Sequence, residues 1–191
     1  EGRLNKLDLT KVNGYQQNLS PFIEEKLKSI KIGQTEDSIY DYMVGYMWGT
    51  MGWVYNTDNV TVDDVRCWDA PFKNVKLNKK ITIKDSVRDS YLVGLAMAYK
   101  DELKKTTDNA TISEILNRTD EDSINLVGKT LSSLKDKLYG FEVDSGKNDI
   151  VLGRIDAYVA WSGDAAYAID VASGEVEDED GEVLEGDSIR N

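Results

Sequence analysis

Apolar positions along this chain change period several times, and each change marks an element. From Val44 to Tyr55 the run VGYMWGTMGWVY is aromatic and rich in β-forming residues. Gly49 and Gly52 interrupt it, and the turn-forming Asn56-Thr57-Asp58-Asn59 closes it, which predicts one or two strands. After an irregular stretch holding Cys67, Trp68 and Pro71, Lys80 to Asp85 (KITIKD) alternates as a half-buried strand does. A helix is predicted directly behind it, from about Val87 to Lys105, because Val87, Tyr91, Leu95, Ala98 and Leu103 keep to one face. Thr111 to Arg118 predicts a short helix. Glu121 to Tyr139 predicts a longer one, with Ile124, Val127, Leu131, Leu134 and Leu138 as its stripe, Thr119 or Asp120 as cap, and Gly140 just past its end. A strand near Phe141 to Val143, a helical turn around Asn148 to Leu152, a strand from Ala157 to Trp161 and a helix from Ser162 to Ala172 complete the alternation. Strands that alternate with helices in this way predict an α/β fold with a central, mostly parallel sheet flanked by helices.

Composition narrows the chemistry. The chain has 191 residues, 40% of them hydrophobic, which is enough for the core of one or at most two soluble domains. It has no His and the single Cys67, so a Cys-His dyad, a Ser-His-Asp triad and a His/Cys zinc cluster are all excluded, and no cofactor is expected. No nucleophile has a base beside it, so binding rather than catalysis is expected. A net charge of −12 without a segregated basic face argues against a nucleic-acid partner and favours cationic ones. More than half of that charge belongs to an acidic excursion, Gly174 to Asp187, with eight acidic residues and no basic one; a solubilising loop or tail is its simplest reading. No apolar run reaches the roughly 18 residues that span a bilayer. A start at Glu1, with neither initiator Met nor signal peptide, suggests an excised piece or a processed product.

Two strand-to-helix junctions carry polar residues where open α/β sheets bind ligands. In Lys84-Asp85-Ser86-Val87-Arg88-Asp89, Ser86 suits an N-cap and Asp89 the third helical position, so the pair reads either as a capping box or as a carboxylate presented to a ligand cation. In Trp161-Ser162-Gly163-Asp164, Trp161 reads either as core or as an indole face beside the Asp164 carboxylate, the setting an organic ammonium prefers. Tyr46, Trp48 and Trp53 read as core packing, with Trp48 or Thr50 as contacts at a cleft edge. Asp85 with Asp89 as a hydrolytic acid pair has nothing else to support it, and four sequons, at Asn18, Asn59, Asn109 and Asn117, are short patterns that recur by chance.

Three segments in order, GYMWGTMGWVYNTDNV (Gly45 to Val60), ITIKDSVRDSY (Ile81 to Tyr91) and GRIDAYVAWSGDAAYAID (Gly153 to Asp170), resemble the spermidine/putrescine-binding proteins of ABC transporters. EGRLNKLDL at the start is similar to the stretch of that family just after the chain enters its second lobe. The resemblance implies a type II periplasmic-binding-protein fold, in which two lobes close on a ligand about a hinge. It also implies that residues 1–191 form a single α/β lobe, the second, with the first lobe as a missing partner. Carried over by motif, Trp161 stacks on the polyamine chain, while Asp164 and Asp89 bind its ammonium groups. Ser86 stands where some members have an acid, and Gly45 where the family commonly has Pro. The implied partners are spermidine or putrescine and the permease subunits of the transporter. The implied location is extracytoplasmic, either periplasmic or tethered to the outer face of the cytoplasmic membrane. Another organic cation or an amino acid on the same fold, and a module that docks on the permease, are the alternative expectations.

Overall fold

The computed structural model describes residues 4–33 and 35–174, so all of the acidic excursion after Gly174 lies outside the described residues. The chain divides into two compact units, Glu1–Trp48 and Gly49–Asn191. In the first, α1 (Tyr15–Asn18) and α2 (Pro21–Ser29) follow a 3-10 turn at Leu9–Lys11. Pro21 opens α2 because its fixed φ suits the first helical turn, where no N–H is needed. Leu9 and Leu27 are buried in this unit, whereas Tyr46, Met47 and Trp48 are exposed, Tyr46 at 90%. Tyr46 and Trp48 are therefore not core residues, contrary to expectation; the Trp48 ring leans on Phe22, their centroids 6.2 Å apart.

The second unit holds a four-stranded sheet, built from β1 (Met51–Tyr55), β2 (Ile81–Lys84), β3 (Gly140–Glu142) and β4 (Ala157–Trp161) in the order β1-β4-β2-β3. β2 is parallel to both neighbours, β3 and β4, and β1 runs antiparallel along the far side of β4. Of the long run Val44 to Tyr55, only the last five residues form a strand. The helices are α3 (Val62–Val65), α4 (Ala70–Lys73), α5 (Val87–Ala98), α6 (Lys100–Leu103), α7 (Asn109–Leu116), α8 (Glu121–Ser132), α9 (Gly146–Val151) and α10 (Ser162–Ala172).

Side chains alternate across a strand, so β4 feeds two cores. Ala157 and Val159 of β4, with Ile81 and Ile83 of β2, pack with Val93 and Met97 of α5 and with Leu134 and Leu138. Tyr158 and Ala160 face the other way, onto Ile150 and Val151 of α9 and Ala168 and Val171 of α10. Helices thus cover both faces. For that reason β2 is buried at all four positions and is not the half-buried strand its alternation predicts; Thr82 and Lys84 lie under protein. α8 ends at Ser132, earlier than its stripe predicts, yet Leu134 and Leu138 stay buried because a run of turns keeps them facing inward.

Trp53 leans on Trp68, ring centroids 5.7 Å apart, against the first of these cores, as its aromatic pattern predicts. Among the described residues no helix is long and apolar enough to cross a membrane.

Candidate functional site

β2 and β4 are parallel neighbours, so their carboxyl ends deliver α5 and α10 side by side, both long enough to present a positive amino-terminal dipole. Ser86 caps α5: its Oγ accepts the Asp89 N–H at 3.3 Å. The other half of a capping box would send the Asp89 carboxylate back to the Ser86 N–H. Here that N–H lies 3.4 Å from the Ser90 Oγ, and Asp89 Oδ2 accepts the Trp161 indole N–H at 3.3 Å. Ser90 Oγ in turn donates to the Lys84 and Ser86 carbonyl oxygens, which locks the turn. The fold thereby brings together Asp89 and Trp161, 72 positions apart. Trp161 is 40% exposed at the end of β4 while its indole N–H is held by Asp89. Among the described residues Asp89 has no lysine or arginine ion partner.

Asp164 stands differently. It lies in the first turn of α10, and each of its carboxylate oxygens faces a lysine: Oδ2 is 3.4 Å from Lys84 Nζ and Oδ1 is 3.6 Å from Lys147 Nζ. Lys84, with a side chain only 6% exposed, also donates to the Val143 carbonyl at 2.9 Å and lies 3.6 Å from Glu142 Oε1. Lys147 reaches Asp144 at 3.4 Å and sits 5.7 Å from the Tyr167 ring centroid. Burial works against the Lys147 ammonium, but the charges of Asp144 and Asp164 outweigh it and raise its pKa above the ordinary lysine value. The Tyr158 hydroxyl beneath donates to the Asp164 carbonyl at 3.2 Å; burial first, then Asp164 and Glu142, push its pKa well up.

Thr50 reaches the same edge through its backbone. Its carbonyl accepts the Ser162 N–H at 2.8 Å, and its own N–H lies 3.4 Å from Ser162 Oγ, extending the β1–β4 ladder past Trp161. Gly49 packs closely there: a Cβ at that position would come within 2.8 Å of Ser162 Oγ and oblige that hydroxyl to rotate away. Beside them an open cavity of about 410 Å³ is lined by Thr50, Trp53, Ala165, Ile169 and Asp170; it contains neither Asp89 nor Trp161. The cavity is wide open to solvent, so the paired Asp89 and Trp161 carry the stronger chemical signal. Trp48 belongs to the first unit, where it lines a cavity of about 290 Å³ with Tyr15, Ile23 and Tyr46.

Of the residues singled out in the sequence, Asp89, Ser86 and Trp161 form one cluster and Thr50 flanks it. Asp164 is adjacent but ion-paired. Lys84, Glu142 and Lys147 are the members that sequence reasoning missed. Lys84 carried a usable signal: it shares a strand face with Thr82, and the double-sided burial of a central strand places both inside.

No protein-family profile and no curated protein matches this sequence. Solved structures do. The spermidine/putrescine ABC transporter substrate-binding protein of Streptococcus pneumoniae superposes with a TM-score of 0.60 at 23% identity, over 87% of this chain and 44% of its own. A putative spermidine/putrescine ABC transporter protein of Listeria monocytogenes gives 0.61 at 21%, again over 87% and 44%. A lipoprotein of Treponema pallidum gives 0.61 at 18%, over 86% and 44%. At these identities the likeness carries the fold, a mixed α/β lobe of the kind found in periplasmic binding proteins. The chain spans less than half the length of the structures it matches.

Proposed function

We propose that this chain is a solute-binding lobe that captures a polyamine, spermidine or putrescine, outside the cytoplasm and delivers it to an ABC transporter permease. The observation that carries the reading is the Asp89–Trp161 pair at 3.3 Å: a carboxylate held at the edge of an exposed indole. An organic ammonium on such a site gains an ion pair and a cation–π contact, the latter about 2 kcal/mol when desolvated. Trp161 stacks on the methylene chain, Asp89 takes an ammonium, and Ser86 and Thr50 border the ligand. Asp164 is the second acidic group at this edge, already facing Lys84 and Lys147. The partner lobe supplies the facing half of the cleft, and the ligand's desolvated charges are offset from both sides. Binding, with no chemical step, is the whole activity. The names of the structural neighbours, two of them spermidine/putrescine transport proteins and one a lipoprotein, support both ligand class and location. The net charge of −12 supports a cationic ligand.

The test is a backbone-amide NMR titration of the 191-residue chain with spermidine and putrescine at fixed ionic strength, with magnesium as the control. If a two-lobed protein binds at about 1 μM and its lobes contribute equally, one lobe retains about 4 kcal/mol, a dissociation constant near 1 mM, so the titration must reach several millimolar. Saturable shifts at 86–89 and 161–164, lost in Asp89→Ala and Trp161→Ala, are expected. Equal shifts with magnesium, or shifts confined to 175–187, overturn the reading.

A further inference from the structure

The two acidic groups at this edge are not equivalent. Among the described residues the Asp89 carboxylate accepts only the Trp161 indole N–H, whereas both oxygens of Asp164 already face an ammonium. The two lysines differ in turn. Lys84 is 6% exposed and tied to a backbone carbonyl at 2.9 Å, so nothing arriving from solvent displaces it. The Lys147 side chain is 26% exposed, holds its partners at 3.4 and 3.6 Å, and projects from the first turn of α9 on a flexible stem. It is a cation attached to the protein at the spot where a second ligand ammonium would have to sit.

We propose that Lys147 is a specificity-determining residue: by occupying Asp164 Oδ1 it leaves Asp89 as the acceptor open to ligand, so this lobe takes one ammonium group and not two. The inference rests on the amine-binding reading above and adds to it the number of charges recognised. It predicts that the lobe does not distinguish a monoamine from a di- or triamine beyond the statistics of having more than one equivalent end. Any discrimination by charge number then falls to the facing half of the cleft.

The experiment titrates the full chain with n-butylamine, putrescine and spermidine by amide NMR at fixed ionic strength, in wild type and in Lys147→Met, Lys147→Arg and Asp89→Asn. In wild type, putrescine should bind no more than about twofold tighter than butylamine. Lys147→Met should tighten butylamine by no more than about twofold, because a second acceptor opens to it, and tighten the longer amines up to about fivefold, the ceiling for a partly exposed ion pair. Their shifts should then spread to Asp164. Lys147→Arg keeps the charge and should behave as wild type, and Asp89→Asn should lose all three amines. A large preference for putrescine or spermidine in wild type, or no change in that preference in Lys147→Met, overturns the role of Lys147 and leaves amine binding standing. No saturable response to any amine in any variant overturns the amine-binding reading and the inference with it.

Discussion

Replacing Lys84 by Met removes a buried ammonium while keeping almost the same volume, and the structure says where the loss falls. Asp164 keeps Lys147 and is 23% exposed, so water and a second cation compensate it. Glu142 has neither recourse: its side chain is 6% exposed, its Oε2 accepts the Gly146 N–H at 2.9 Å, and its Oε1 has Lys84 as its ion partner, 3.6 Å away, and no hydrogen bond. Taking one member from a buried pair costs about 3–5 kcal/mol, because the charge left behind stays desolvated. With a urea m-value of about 2 kcal/mol/M the unfolding midpoint of Lys84→Met should fall by about 2 M. That is a large share of a total stability of about 5–15 kcal/mol. Glu142→Gln on top of Lys84→Met retains an acceptor for the Gly146 N–H without the charge, and should recover more than half of the loss. Urea unfolding followed by far-UV circular dichroism measures both. A midpoint drop below about 0.5 M, or a double variant no better than the single one, would mean that Glu142 is effectively solvated, and the account of a buried ionic core beneath the site would be wrong.

Two further expectations follow from the same region and from the opposite face. Gly146→Ala places a methyl 2.5 Å from Tyr158 Cδ2 and 2.9 Å from Glu142 Oε1 in a packed interior, which should cost about 1–3 kcal/mol. Calorimetry should then show a melting temperature several degrees lower, and an unchanged value refutes the close approach of α9 to β4. Asp69 is buried and bound by Lys73 at 2.8 Å and Lys100 at 3.1 Å; burial pushes its carboxyl up, but the two lysines outweigh that and hold it below the ordinary 3.8. A depressed carboxylate contributes stability that is complete above the unfolded value and is lost as pH falls through the lower folded one. The stability gap between wild type and Asp69→Asn, read from urea titrations, should therefore hold between about pH 7 and 5 and close below about pH 3.8. A gap as wide at pH 3 as at pH 6 would sink the assignment.

How much of this was legible without coordinates depends on what each signal measures. β2, α5, β4 and α10 stand within a residue of their expected bounds or share one end with them, because periodicity and junction chemistry are local properties. The Val44 to Tyr55 run misled because β propensity is a statement about partners: only Met51–Tyr55 finds one, paired antiparallel to β4, and the aromatic residues before it fall in a different unit. The first unit itself was not foreseen, since its helices are short and its stretch before Val44 carries no clear stripe. The Glu121 to Tyr139 stripe ran past the end of α8 because burial at Leu134 and Leu138 continues where the helical hydrogen bonding does not.

The site separates into what spacing can show and what only the sheet order can. Ser86 as a cap and Asp89 three residues on were readable, and so was Trp161 at a strand end. Spacing alone does not show their meeting, which only the resemblance implies: it requires β2 and β4 to be neighbours, and 71 intervening residues hide that. The same neighbourhood sets the two acids apart. By sequence Asp164 and Asp89 are equivalent carboxylates at helix starts, which a dipole favours in either place. In the fold, β2 delivers Lys84 from below and α9 delivers Lys147 from the side, and both reach Asp164 while neither reaches Asp89. Net charge pointed to a cationic partner for the chain as a whole, but a charge total does not record which carboxylates are already answered. The chemistry of the edge is therefore set less by its acids than by two lysines whose positions follow from strand order.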